Sequence, residues 1–252
     1  MPDITYGAEP WYTPDQVAAL QFRRGDTKDL ACGDVTARRS FPASTASRAS
    51  TSPLSVVQTW PPEHGGCTDL QVCRFAVADG ASEASFSGLW ARLLVAAYRQ
   101  GLLTAETLAG ALPPLQEAWL NQVTARPLRW YAEEKLCAGA FAALAGITLS
   151  AATSTPGGAW NAMAIGDSCL IQVRERGILA AFPVERAGAF DNTPPLVSTS
   201  PWQIRPAVAD LRRIGGHWLP GDVFYLLTNA LACWFLGEYE RGTHPWTTLP
   251  SP

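Results

Sequence analysis

The sequence has no apolar run near the length of about 18 residues that a membrane-spanning helix needs, and its opening, Met1 to Pro10, lacks the basic-then-apolar order of a secretory leader. It has no block of like charge. With a formal net charge of −3 it also lacks the basic footprint of a nucleic-acid binder or of a protein held to an anionic membrane. None of its six cysteines, at positions 32, 67, 73, 137, 169 and 233, forms the two-residue spacing of a zinc knuckle or a thioredoxin-like motif. Most stand beside apolar neighbours, as in Ser168-Cys169-Leu170-Ile171, which reads as buried reduced thiols and hence a cytoplasmic setting. No serine sits in a Gly-x-Ser-x-Gly elbow, so Ser-His-Asp catalysis has no support, and the scattered His64, His217 and His244 take no role.

What is present is a chain of 252 residues, 47% hydrophobic, long enough for one large domain over 1–252. No internal repeat is visible. Residues 40–55, including the Ser40–Pro53 stretch SFPASTASRASTSP, are small, hydroxylated and proline-containing. Such a stretch buries too little apolar area to offset chain entropy, so it reads as a flexible insertion.

From Val72 the pattern sharpens. Val72 to Ala78 is a short β-rich run ended by Asp79-Gly80. Phe86, Leu89, Trp90, Leu93, Leu94, Ala97 and Tyr98 then recur at steps of three and four, the stripe of a helix that Ser82 or Ser85 can cap and Gly101 ends. A second helix is expected from about Thr104 to Val123, interrupted near Pro113-Pro114, and a third from about Trp130 to Ala145, rich in small residues. Strands follow: Trp160 to Ile165 and Cys169 to Arg174 around Gly166-Asp167-Ser168, then Ile178 to Phe182 after the hairpin signal Arg176-Gly177. Pro194-Pro195 opens a loop continuing past Pro201. Val223 to Thr228 reads as a buried strand and Ala230 to Leu236 as a helix. Strands and helices in runs rather than strict alternation predict an α+β fold, with antiparallel sheet and helices on its outer faces.

Three polar points end or join strands. Asp79-Gly80 alone is a turn dipeptide, but a helix follows it, leaving a carboxylate and a bare glycine carbonyl at a strand end, the oxygen-rich corner that hard divalent cations favour. Gly166-Asp167-Ser168 alone reads as a tight hairpin turn, and Asn229 as a helix cap.

Taken together these words resemble the metal-dependent protein phosphatase 2C family. Phe75-Ala76-Val77-Ala78-Asp79-Gly80-Ala81-Ser82-Glu83, with Trp90-Ala91 beyond, is similar to its Asp-Gly motif. Glu134-Lys135-Leu136, Gly139-Ala140-Phe141 and Gly146 look like its central helix. Ala164-Ile165-Gly166-Asp167-Ser168-Cys169-Leu170 resembles its Gly-Asp-Ser motif, Phe190-Asp191-Asn192-Thr193-Pro194 the loop that follows, and Gly221-Asp222 through Leu231 a later ligand-bearing strand and helix.

The resemblance implies two packed antiparallel sheets flanked by helices, and two Mg²⁺ or Mn²⁺ ions whose bridging water hydrolyses phosphoserine or phosphothreonine in a protein partner. Carried over by position, Asp79 would bridge both metals, the Gly80 carbonyl would bind one, and Asp167 would serve an accessory metal. Arg23 or Arg24 would clamp the phosphate. Asp34 would be the first metal aspartate, with Gly33 where an acidic residue is expected and Asp69 as its rival. Asn229 stands where the family has aspartate, keeping an oxygen but losing a unit of charge. The family's closing Asn-Asp-Asp strand has no counterpart after Asp222, so the expected sandwich lacks its last strand. The alternative implied is a pseudophosphatase, a module that binds a phosphoprotein without turnover.

Overall fold

The structure is a computed structural model that describes residues 20–22, 57–59, 72–81, 86–125, 136, 139–152 and 156–249. Arg23, Arg24, Asp34, Asp69, the stretch 40–55 and the candidate caps Ser82 and Ser85 lie outside the described residues.

Two antiparallel sheets carry the fold. The smaller runs in the order β1 (Leu20–Phe22), β10 (Val223–Leu227), β6 (Cys169–Arg174), β7 (Gly177–Phe182). The larger runs β2 (Val57–Thr59), β3 (Val72–Gly80), β4 (Phe141–Ala151), β5 (Gly158–Ile165), β9 (Arg212–Trp218), with β8 (Val197–Ser198) paired beside β4. The helices are α1 (Ser87–Arg99), α2 (Leu108–Thr124), α3 (Ile204–Ala209) and α4 (Asn229–Glu240).

The alternation of strand side chains sorts the core into layers. Phe75, Val77, Ile147, Leu170, Phe224 and Leu226 meet between the sheets. Ala76, Ala78 and Leu144 turn the other way, under Trp90, Leu94 and Tyr98 of α1 and Leu112 and Trp119 of α2. On the far side Ile171, Val223 and Tyr225 face Phe235 and Leu236 of α4. Each large side chain withdrawn from water contributes roughly 1.5–3 kcal/mol. The order is therefore helices, sheet, sheet, helix, an α+β sandwich as the sequence predicts. Among the described residues no helix is long and apolar enough to cross a membrane.

Strand directions give the sandwich two distinct ends. β3, β5 and β10 finish at one end, where β4 and β6 begin. At the opposite end Asp222, 5% exposed, is fully engaged. Its carboxylate accepts from Arg174 Nε at 2.6 Å and Nη2 at 2.8 Å, from Gln172 Nε2 at 2.7 Å and from the Leu219 amide at 3.0 Å.

Four expectations need correction. The helix expected to run to Ala145 gives way to β4 from Phe141, because β3 claims it through nine consecutive pairs from Val72↔Ser150 to Gly80↔Ala142. The second helix is not interrupted: α2 continues through Pro113 and Pro114, held by the burial of Leu108, Leu112, Trp119 and Val123 despite two missing amide donors. The loop after Pro195 contains β8 and α3. Asn229 is the first residue of α4, and Thr228 is its N-cap.

Candidate functional site

Asp79 shares its strand face with Phe75 and Val77, so it sits at the rim of the layer between the sheets, half-buried. Gly80 follows because the chain must let α1 approach: a Cβ there would come 2.7 Å from the backbone carbon of Ser87. The Ala81 amide donates to the Phe141 carbonyl at 2.9 Å, and the alternation of an antiparallel ladder then turns the Gly80 carbonyl away from β4.

Gly166-Asp167-Ser168 is not the hairpin turn its sequence suggests. Ile165 pairs with Leu144 in the larger sheet and Cys169 with Leu227 in the smaller one, so the three residues step from sheet to sheet. Gly166 adopts φ 98°, and a Cβ there would meet the Ala143 Cβ at 2.7 Å and the Pro195 carbonyl oxygen at 3.0 Å. The step thereby places Asp167, 7% exposed, at the same rim as Asp79.

Asn229 reaches this rim from the end of β10. Its Oδ1 accepts from the Ala230 amide at 2.6 Å, which leaves the amide nitrogen as the group able to face a carboxylate, and the side chain acts on the Asp167 carboxyl in the lowering direction.

The electrostatics follow from this crowding. Burial pushes the Asp79 carboxyl above its ordinary range, and the charge of Asp167 pushes it further. Burial also raises Asp167; the Asn229 hydrogen bond and a backbone amide oppose the rise, while the charge of Asp191 adds to it. Asp191 is a neighbour that sequence reasoning left without a role. It is exposed, accepts from the Thr193 amide at 2.9 Å, and belongs to a loop that ends pinned to the sandwich. There Trp90 Nε1 donates to the Val197 carbonyl at 2.9 Å and Gln116 Nε2 to the Ser198 carbonyl at 3.1 Å.

The structure thus brings Asp79, Gly80, Asp167 and Asn229 to one rim. Two partly buried, mutually repelling carboxylates fit the protein side of a site for one hard divalent cation, which is commonly held by one or two carboxylates plus water. They do not by themselves supply more: among the described residues no group of three or more His, Cys, Asp or Glu is placed to hold a metal ion.

Comparison with known proteins gives one match in sequence. A family described as Protein phosphatase 2C matches residues 65–231. No curated protein matches. Among solved structures, the chain is similar to the Mycobacterium tuberculosis serine/threonine phosphatase PstP/Ppp, at 13% identity over 68% of this chain and 75% of that one, with a TM-score of 0.35. It is similar to PppA, a regulatory component of T6SS in Pseudomonas aeruginosa, at 16% identity over 61% of this chain and 63% of that one, with a TM-score of 0.31. The S. agalactiae serine/threonine phosphatase gives 12% identity over 73% and 85%, with a TM-score of 0.34.

Proposed function

The chain belongs to the protein phosphatase 2C family, and from that premise we propose that it is a metal-dependent phosphatase of phosphoserine and phosphothreonine in proteins, attenuated at Asn229. The observation that carries this reading is the convergence of Asp79 and Asp167 on one rim, close enough for the charge of one to raise the other. A pair of carboxylates held against their own repulsion is stabilised by a bound cation, and a pure scaffold has no use for such a pair.

Asp79 and Asp167 would hold Mg²⁺ or Mn²⁺, with the Gly80 carbonyl beside them. Bound there, the metal would lower the pKa of a water and neutralise charge on the phosphoryl oxygens. The chain's own residues set the strength of that site. Asp167 is kept at the rim by the sheet-to-sheet step and by the Asn229 amide. An aspartate in place of Asn229 would add a unit charge, worth roughly 4 kcal/mol at about 4 Å and a surface-like dielectric. Its absence weakens cation binding and hence turnover. By the family resemblance, Asp34 would serve as the first metal aspartate and Arg23 or Arg24 as the phosphate clamp. Among the described residues, the free thiols of Cys169 and Cys233 support a cytoplasmic setting.

The pseudophosphatase reading has one specific observation in its favour, the neutral Asn229 side chain beside Asp167 where a third carboxylate would stand. Hydrolysis of p-nitrophenyl phosphate under a Mn²⁺ titration separates the two. The enzyme reading expects weak turnover that rises with Mn²⁺ and disappears in Asp79→Ala. Turnover no greater than that of Asp79→Ala at saturating Mn²⁺ leaves the binding module as the function.

A further inference from the structure

At the end of the sandwich away from Asp79, the helix-facing side of the larger sheet changes character within one row of residues. Ala76, Gly146 and Met163 stand side by side in register on β3, β4 and β5. Tyr98 of α1 covers this row, closely enough that a Cβ on Gly146 would come 2.5 Å from its ring. The next row outward is Arg74, Thr148 and Asn161, again in register across the same strands. The Tyr98 hydroxyl bonds Thr148 Oγ1 at 3.0 Å. Burial pushes that hydroxyl up to about 12, so it remains neutral and available for hydrogen bonding.

These groups, with Arg213 of β9 and Glu106 before α2, line an open cavity of about 620 Å³, within the usual range of small-ligand sites. Its charges are unequal. Arg213 lies 3.4 Å from Glu106 and donates to the Ala105 carbonyl at 2.7 Å. Arg74, half-buried, makes no ion pair within the described residues. Two guanidiniums face one carboxylate, and the remaining polar lining is hydroxyl and amide. A half-buried guanidinium with no ion-pair partner among the described residues, beside neutral donors in a concave site, is matched by a planar or tetrahedral oxyanion.

We propose that this cavity binds a small anion carrying a phosphate or carboxylate group, with Arg74 as the counter-charge and Thr148, Asn161 and Tyr98 as hydrogen-bonding partners. Arg74 and Asp79 are five residues apart on β3, roughly 17 Å along a strand, so the site is separate from the rim of carboxylates. It stands whether or not the chain is an enzyme.

The test uses the full chain stripped of metal on a chelating resin, where the Asp79–Asp167 rim repels anions. Inorganic phosphate and succinate are titrated separately while amide NMR shifts of Thr148 and Asn161 are followed. Saturable shifts at both amides are expected, and the tighter-binding anion identifies the class. Arg74→Gln weakens binding by about tenfold or more, the loss of a charge-assisted fork. Glu106→Gln, at an exposed position, strengthens it severalfold by removing the opposing charge and freeing Arg213. No saturable shift with either anion up to about 50 mM, shifts unchanged in Arg74→Gln, binding not strengthened in Glu106→Gln, or shifts lost in Asp79→Asn would each overturn the assignment.

Discussion

Asp222 and Asp167 are both buried aspartates at the edge of the same sandwich, and the protein treats them in opposite ways. Burial would raise Asp222, but hydrogen bonds from Arg174, the Leu219 amide and Gln172, together with the Arg174 charge, outweigh it and hold the carboxyl below its ordinary range. Asp167 has only the neutral Asn229 side chain and a backbone amide to set against burial and two further aspartates nearby, and its carboxyl is held above that range. At one end the sheets are stapled by a charge that the protein itself neutralises. At the other end the cost of crowding is left standing. The crowding at that end is the feature that the proposed cation would relieve.

The comparison breaks most visibly at Asp222. Asp222→Ala leaves Arg174 and Gln172 without their acceptor, and a loss of about 3 kcal/mol is expected, the low side of buried-pair disruption because Arg174 is partly exposed. Urea unfolding measures it, and a loss under about 1 kcal/mol would show that the far end is not stapled by charge. Next comes Asn229→Asp. It should tighten Mn²⁺ binding by up to about 1,000-fold by calorimetry, raise phosphatase turnover, and lower stability in EDTA because a third carboxylate joins the rim. Unchanged Mn²⁺ affinity would show that Asn229 does not limit the site.

The pH dependence follows with opposite signs at the two ends. Asp79 and Asp167 have raised values when folded, so their contribution is fully present below the ordinary aspartate value of 3.8 and is lost as pH rises through the raised values. Asp222 has a lowered value, so its contribution is present above 3.8 and is lost as pH falls through that lower value. In EDTA, Asp79→Asn should therefore gain on the wild type as pH rises from 4 to 7, while Asp222→Asn should lose ground over its lower part. Parallel unfolding curves for both variants would remove the distinction. The smallest effect is at Asp191, whose exposed charge adds only a few tenths of a kcal/mol to the repulsion. Asp191→Asn should raise stability by that amount at pH 7 by urea unfolding.

Much of this arrangement was legible in the sequence, for identifiable reasons. β3 and α1 announce themselves because a β-rich run and a three-four stripe are both strong signals ending at punctuating residues. The β6–β7 hairpin was marked by Arg176-Gly177, and β10 by an unbroken apolar run after Pro220-Gly221. β4 was missed because it is buried on both faces, packed against α1 on one side and the other sheet on the other. A doubly buried strand of alanines has no period to read. β9 was missed for the opposite reason: Arg212-Arg213-Ile214-Gly215-Gly216 is largely exposed and poor in apolar residues. Gly166-Asp167-Ser168 reads locally as a turn, since only pairing with distant strands reveals that its two flanks belong to different sheets. Asp191 was hidden by its Asx-turn chemistry, which is the ordinary use of aspartate before Thr-Pro.

Asp79 is carried by one sheet, Asn229 follows a strand of the other, and Asp167 stands on the step that joins them. The spacing of the three therefore works as a gauge of how one sheet is seated on its neighbour. Ile147, Leu170 and Phe224, which fill the gap between the sheets, set that seating from a distance. Trimming them should detune the carboxylates even while the chain stays folded.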